Sequence, residues 1–449
     1  MITTRPASGA PRPYRFPDFV RHTLPNGLGV WLVPLADREL VSVQVLTDAG
    51  AATEAEAQGG IAALTAQLLV TGTRLLDAAA FAETAERLGI EVGSESSWDS
   101  ARAGFTALGA HLEAGLGLLT EMLTEPRLDE SEFDRLRAER LNDIMQARAE
   151  PGRLADERFL QEVFADGVPY GRLSAGRPET VEPLRVADAR DFHGTRYAPD
   201  VADIVVAGGF DPDVALAAVE RHLGGWAGSG RGHRVIEPSQ RASRRIVLVD
   251  RPGSVQSELR VGHLGIDRHD PRYFPAMVMA ALLGGVFGSR LNRRLREELG
   301  YTYGARCSFD PRRAIGPFTA NAAVQTEVTT DAIRELVAQL DRIRSAPPDD
   351  AELAEVRDFL VGVFPLRFET TAGIAAAIEP LAVYGLDDDW WHAYRSRLEA
   401  VTPADVHAVA QELIRPDEAL IVVVGDADKL RDELAAADLG ALEVAPAQV

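Results

Sequence analysis

The chain has 449 residues, 46% hydrophobic and 26% charged, with a formal net charge of −21 at pH 7. This composition is typical of a globular protein with two to four domains or two large ones, and the negative charge argues against nucleic acid and anionic membranes as partners. The single cysteine, Cys307, excludes an intrachain disulfide and a cysteine-based zinc cluster.

The N-terminal segment predicts no export. Residues 1–19 are polar and rich in proline and lack the apolar core of a signal peptide. No uninterrupted apolar stretch reaches the length of about 18 residues that a membrane span needs. We therefore expect a cytoplasmic protein.

The first half of the chain predicts strands followed by helices. An Asn-Gly turn and an apolar strand lie within residues 23–34, and a second strand covers 41–47. Helical spacing of apolar residues follows in three segments: 60–73, 111–126 and, in a charged amphipathic form, 131–151. Residues 203–226 then predict a strand, a turn and a helix.

A change in composition separates this half from the next. Residues 228–245 are rich in Gly, Ser and Arg and poor in apolar residues, which is typical of an interdomain linker. After it the order of elements repeats, beginning with strand, turn and strand at 245–266. Residues 274–300 predict two helices around a Gly-rich break, and 419–436 closes this half as 203–226 closed the first.

The repeat predicts an α+β fold built from two tandem homologous halves. Each half is expected to be a mostly antiparallel sheet with helices packed on it. We place the N-terminal half at 1–227, the linker at 228–245 and the C-terminal half at 246–449.

The predicted helix at 60–73 has an apolar stripe and a second, distinct face. Ile61, Leu64 and Leu68 form the stripe, whereas Ala63 and Gln67 are i, i+4 neighbours on another face. Two such positions are those from which a helix offers two histidines to one zinc ion, with a glutamate as base. By itself this segment is better explained as an ordinary amphipathic helix than as a former zinc site.

The wider segment 59–73, "GGIAALTAQLLVTGT", resembles the zinc helix of the pitrilysin/insulinase metallopeptidases. The pattern of that family runs Gly-x-Ala-His-x-x-Glu-His-x-x-x-x-Gly-Thr. Four residues match its frame: Gly60, Ala62, Gly72 and Thr73. Ala63 and Gln67 stand at the two histidine positions, and Ala66 stands at the position of the glutamate base.

The family's third ligand is a glutamate on a later helix. The context of that residue resembles "RAERLNDI" at 137–144, which places Asp143 at the ligand position. None of the nine histidines is paired with another at i, i+4, so no substitute motif is present. The resemblance implies degenerate zinc-site positions at Ala63, Ala66, Gln67 and Asp143, and no metal or other cofactor in this chain.

The resemblance covers almost the whole chain and is most specific in the second half. Residues 168–184 and 192–211 are similar to the family's Pro-Tyr-Gly connection and to its Tyr-x-Pro strand. Residues 282–309 resemble the second-half signature, in which an Arg is followed seven residues later by a Tyr. That spacing selects Arg296 and Tyr303 as catalytic residues, and Tyr301 does not fit it.

In this family the Arg/Tyr pair reaches a substrate that is held at the zinc of a first-half domain, and two-chain members divide zinc and Arg/Tyr between subunits. The resemblance therefore implies the non-zinc-binding subunit of a bacterial heterodimeric zinc endopeptidase. Its partner would be a homologous zinc-bearing subunit, and its substrates peptides or small unfolded proteins. The alternative is a non-enzymatic scaffold or peptide-binding member of the same family.

Plainer structural roles remain open for the same residues. Arg296 could pair with Glu297 or Glu298 on a charged helix face, and Tyr303 could be a buried strand residue. Gly284, Gly285 and Gly288 could form a hinge, a peptide-contacting turn or a simple helix break; a phosphate-binding loop would need a lysine that is missing.

Overall fold

The computed structural model of the protein describes residues 12–233, 236–239 and 243–446. The first of two six-stranded sheets consists of β1 (Val20–Thr23), β2 (Gly29–Pro34), β3 (Leu40–Thr47), β4 (Glu91–Ser96), β5 (Ala101–Leu108) and β6 (Ala202–Gly208). The strands lie in the order β1-β2-β6-β3-β5-β4. Every neighbouring pair is antiparallel except β2 and β6, which are parallel.

The helices of the first half are α1 (Ile61–Leu68), α2 (Ala78–Arg87), α3 (Leu112–Thr124), α4 (Glu130–Ala149), α5 (Pro151–Val163), α6 (Pro178–Val181), α7 (Val186–Arg196) and α8 (Pro212–Leu223). The long helix α4 packs against α1. The predicted apolar stripe of α1 is confirmed, because Ile61, Leu64 and Leu68 are all buried in the core of this half.

The second sheet repeats the first. Its strands are β7 (Arg245–Asp250), β8 (Gln256–Leu264), β9 (Ala305–Phe309), β10 (Pro317–Gln325), β11 (Leu420–Gly425) and β12 (Ala441–Pro446). They lie in the order β12-β7-β11-β8-β10-β9, with parallel pairing only of β7 to β11 and to β12. The two mostly antiparallel sheets confirm the predicted α+β fold.

The helices of the second half are α9 (Tyr273–Ala280), α10 (Thr329–Ser345), α11 (Asp350–Val363), α12 (Thr371–Tyr384), α13 (Trp390–Glu399), α14 (Pro403–Leu413) and α15 (Ala427–Ala436). Between α9 and β9 the chain forms two π-helical segments, at Ala281–Gly285 and Asn292–Glu298. Such wider turns are uncommon and occur often at functional sites.

Each half contributes one helix that packs on the sheet of the other half. α5, from the first half, packs on β8 and β11 of the second sheet, whereas α12, from the second half, packs on β3 and β6 of the first. The Gln44 side chain of β3 donates to the carbonyl of Ala375 on α12 at 2.6 Å. The division of the sequence at 228–245 stays a prediction, and the described residues from 228 to 244 form no helix or strand.

No single helix in the described ranges is long and apolar enough to cross a membrane. Two successive segments, Asp350–Phe368 and Thr371–Tyr384, are together long and apolar enough by length and composition, but they are bent against each other by 112°. The second member of that pair contains α12, which packs against the first sheet.

Candidate functional site

The helix α1 starts abruptly at a glycine that no other residue could replace without strain. Gly60 has φ 99°, and a Cβ atom on it would lie 2.9 Å from the carbonyl oxygen of Ala175. The helix ends at Leu68, earlier than the predicted limit at residue 73, and Gly72 beyond it has φ 129°. The helix that resembles the family's zinc helix is thus a short, tightly packed element.

Glu54 provides hydrogen-bond acceptors for the backbone N–H groups at the N-terminus of α1. Its carboxylate accepts hydrogen bonds from the backbone N–H of Gly60 at 3.1 Å and of Ala62 at 2.8 Å, and the side chain is buried. Burial raises the pKa of Glu54 to about 8, against the opposing effects of those N–H groups and of Arg172. Desolvation therefore outweighs the stabilisation that a helix N-terminus gives a carboxylate.

We expect the free energy of unfolding to fall as pH rises from about 4.5 to about 8, because folded Glu54 holds a proton that the unfolded chain releases. Glu54→Gln should remove up to about 1.4 kcal/mol per pH unit of this slope. Denaturant unfolding at several pH values measures it, and Glu56→Gln, at an exposed position, is the matched control. Equal slopes for wild type and Glu54→Gln would contradict this assignment.

The four degenerate zinc-site positions differ in exposure. Ala63 and Gln67 are half-buried on one face of α1, whereas Ala66 is 0% exposed. Asp143 is exposed on α4, the helix that packs against α1. The structure therefore places the four positions that the resemblance selects on two adjacent helices, with only Ala66 closed to solvent.

The residues at these positions do not fit a zinc ion. Alanine offers no ligand, and one glutamine and one carboxylate do not make up the three nitrogen, sulfur or oxygen ligands of a catalytic zinc site. Within the described ranges, no group of three or more His, Cys, Asp and Glu side chains is arranged to hold a metal ion.

Asn292, the first residue of the π-helical segment Asn292–Glu298, positions the second candidate site. Its buried amide oxygen accepts the backbone N–H of Ala305 at 2.9 Å, at the start of β9. The Asn292 amide nitrogen donates to the carbonyl of Val286 at 3.3 Å, in the glycine-containing loop. One side chain thus ties together the helix that carries Arg296 and the loop that carries Tyr303.

Arg296 stacks on an exposed aromatic ring. Its guanidinium carbon lies 4.3 Å from the ring centroid of Phe287, which is 69% exposed. Glu298 pairs with Arg294 at 2.8 Å, and Glu335 also binds Arg294. Among the described residues, no carboxylate forms an ion pair with Arg296, so its N–H groups are available to a ligand.

Tyr303 is the most exposed large side chain of this region, at 93%. It lies in the loop between the π-helical segment and β9, so it is not the buried strand residue that its sequence also allowed. Its hydroxyl has no hydrogen-bond partner within the described part of the chain. Tyr301 is half-buried and its N–H donates to the carbonyl of Leu295, which closes the helix end.

Of the glycines before Arg296, Gly284 serves close packing. A Cβ atom on Gly284 would lie 2.5 Å from the backbone nitrogen of Cys307 on β9. Gly285 ends the first π-helical segment, and Phe287 follows in the turn before Gly288. Sequence reasoning missed the role of Phe287; an aromatic residue between glycines in a polar turn is the signal that could have found it.

Comparisons with known proteins agree with this fold. Residues 33–173 match the family model described as Insulinase (Peptidase family M16), and residues 183–360 match the model described as Peptidase M16 inactive domain. An uncharacterized zinc protease of Mycobacterium tuberculosis is 26% identical over 400 residues, covering 88% of this chain and 90% of that protein. A non-peptidase homolog of Helicobacter pylori is 24% identical over 325 residues, covering 70% and 72%.

Solved structures share the fold. The peptidase M16 inactive domain of Pseudomonas fluorescens superposes with a TM-score of 0.86 at 24% identity, over 91% of this chain and 98% of that one. A chain of complex III2 from Candida albicans gives 0.77 at 15% identity, over 92% and 97%. The protein belongs to the insulinase (M16) peptidase family, and its residues 183–360 match the model of that family's inactive domain.

Proposed function

We propose that this chain is the non-zinc subunit of a two-chain zinc endopeptidase of the cytoplasm, and that it supplies Arg296 and Tyr303 to a peptide held by its partner. The proposal rests on the exposure of the Tyr303 side chain and on the lack of an ion pair at Arg296. Tyr303 is 93% exposed. The guanidinium of Arg296 stacks on the ring of Phe287 and pairs with no carboxylate in the described ranges. Within the described part of the chain, neither side chain has a hydrogen-bond acceptor.

Their chemistry fits the transition state of amide hydrolysis. Negative charge develops on the carbonyl oxygen as water attacks, and N–H and O–H donors that are already in place stabilise it. A guanidinium offers several N–H groups in a fixed plane, and a phenol offers one O–H. The partner's zinc would activate the water and polarise the carbonyl.

The partner that this role requires is a homologous chain with an intact zinc helix, since the degenerate helix of this chain offers no ligand set. The substrates would be peptides or small unfolded proteins, which can extend between two subunits. No cofactor is proposed for this chain itself.

A second candidate function is a non-enzymatic scaffold or peptide-binding subunit. Two likenesses favour it: the Helicobacter pylori relative is described as a non-peptidase homolog, and one structural neighbour is a chain of a complex III assembly. In that role Arg296 and Tyr303 would contact a partner or a peptide without supporting catalysis.

Purification of the native complex, followed by metal analysis, tests the proposal. We expect a chain of similar length to co-purify and about one zinc per pair of chains, with peptidase activity in the same fraction. Recovery of this chain alone or as a homodimer without zinc, under conditions that preserve other complexes, would contradict the heterodimer. A zinc-free complex with other proteins would favour the scaffold.

A further inference from the structure

A cavity of about 500 Å³ lies in the second half, where the loop before α9 meets the turn after α12 and the start of α13. Its lining includes Arg268, His269, Phe274, Asp387, Trp390 and Arg397. Neither Arg296 nor Tyr303 contributes to it, so this cavity is separate from the candidate site described above.

Arg268 is the unusual residue of this cavity. It is only 8% exposed, and no hydrogen bond or ion pair of its guanidinium is present within the described part of the chain. The Nε atom is fully buried and has no acceptor. The remaining residues, 1–11, 234–235, 240–242 and 447–449, include no Asp or Glu, so they hold no acidic side chain that could neutralise it.

Aromatic rings hold the Arg268 guanidinium in place. Its central carbon lies 4.4 Å from the ring centroid of Tyr273 and 5.2 Å from that of Trp390. Stacking occupies the flat face of a guanidinium and leaves the N–H groups at its edge free to donate. The indole N–H of Trp390 is a second buried donor without an acceptor.

Among the described residues around the cavity, no acidic side chain pairs with Arg268. Asp270 is bound by Arg272, at 2.7 Å for the closest contact. Arg397 adds a second guanidinium to the lining, 3.7 Å from Asp389. Asp387 is exposed, and His269 is also exposed. A buried charge without a partner is strongly unfavourable, which makes a bound counter-ion the natural completion of this cavity.

We propose that this cavity binds a small organic anion, whose carboxylate or phosphate oxygens accept from Arg268 and whose flat or apolar body lies against Phe274 and Trp390. Oxyanions are the ligands that match the planar donors of arginine. The aromatic lining adds contact area for the rest of the molecule.

Titration of the purified chain with inorganic phosphate and, separately, with acetate tests this site. Ionic strength is kept constant with chloride, and binding is followed by calorimetry and by the melting temperature. We expect saturable binding of at least one anion. Saturation by phosphate alone would indicate a ligand that carries a phosphate, and saturation by acetate alone would indicate a ligand that carries a carboxylate. Saturation by both would show that the site accepts either kind of oxyanion.

Arg268→Met keeps the length of the side chain and removes its charge, and should weaken binding about 10- to 100-fold. Arg397→Met is the second variant, with a smaller expected loss, and it serves if Arg268→Met does not fold. Arg334→Met is the matched control, because Arg334 is exposed on α10 and pairs with Asp331. Absence of saturable binding to wild type, or equal binding by wild type and the folded cavity variants, would overturn the proposal.

Discussion

Replacing Tyr303 with Phe or Arg296 with Ala is expected to lower the kcat of the reconstituted two-chain enzyme about 10²–10³-fold, the usual effect of removing one oxyanion donor. The fold should hardly change. The Tyr303 hydroxyl has no partner in the described ranges, and the ring is 93% exposed. Loss of Arg296 removes one stacking contact with an exposed ring, worth about 0.5–1 kcal/mol.

Two neighbouring residues provide matched controls for this prediction. Arg293→Ala removes an exposed guanidinium from the same π-helical segment, and Tyr301→Phe removes a hydroxyl from the same loop. Both should keep kcat within about twofold of wild type. Steady-state kinetics with the zinc-bearing partner, together with melting curves, separates the outcomes. Full activity of both Arg296→Ala and Tyr303→Phe would leave the chain a scaffold.

The second large effect is expected from rebuilding the zinc helix. Ala63→His combined with Gln67→His places two imidazoles four residues apart on a half-buried face, beside the helix that carries Asp143. Two imidazoles and a carboxylate form a common catalytic zinc site. Zinc should bind at least about 100-fold more tightly than to wild type, a gain of roughly 2.7 kcal/mol. Asp143→Glu should add to this gain by restoring the family's carboxylate.

Each single histidine variant is the control for that double variant, since one imidazole alone is a weak ligand set. Competition with a chromophoric chelator measures the affinity. Equal zinc affinity of the double variant and wild type would mean that the helix has been aligned wrongly with the family pattern.

Substitution of Ala66, the position of the glutamate base in the family pattern, is expected to affect stability instead of zinc affinity. Ala66 is 0% exposed, so Ala66→Glu introduces both extra volume and a charge into a packed position. We expect this substitution to destabilise the fold by about 3–5 kcal/mol, as an unpaired buried charge does. A melting temperature unchanged by Ala66→Glu would show that this position opens to the solvent, as a catalytic base requires.

Much of the fold could be predicted because its signals are local. The apolar stripe of α1, the Asn-Gly turn before β2 and the repeated order of strands and helices are all properties of short segments. The exchange of α5 and α12 between the sheets could not be predicted, because an amphipathic pattern states that a face is buried and not which sheet covers it. The early end of α1 could not be predicted either, since the apolar residues continue past Leu68 into a turn.

The residues of the candidate site were selected from the sequence, and they stay a prediction; their contacts could not be predicted from it. Pairing of Arg296 with Glu297 or Glu298 is disfavoured by helix geometry, since neighbours one or two positions apart do not face each other. Arg294 and Glu298, four apart, form the pair that the structure contains. The stacking of Arg296 on Phe287 depends on the wider π-helical turns and the tight approach of Gly284 to β9, which no local pattern specifies.

In the proposed enzyme, this chain completes a zinc site that it does not itself contain. The most direct test measures peptide cleavage and zinc content for this chain alone, for the homologous zinc-bearing chain alone, and for the two mixed in equal amounts. We expect zinc only in the partner and cleavage only in the mixture, or at least about 100-fold faster cleavage in the mixture than by the partner alone. Full activity of the partner alone, or stoichiometric zinc in this chain, would contradict it.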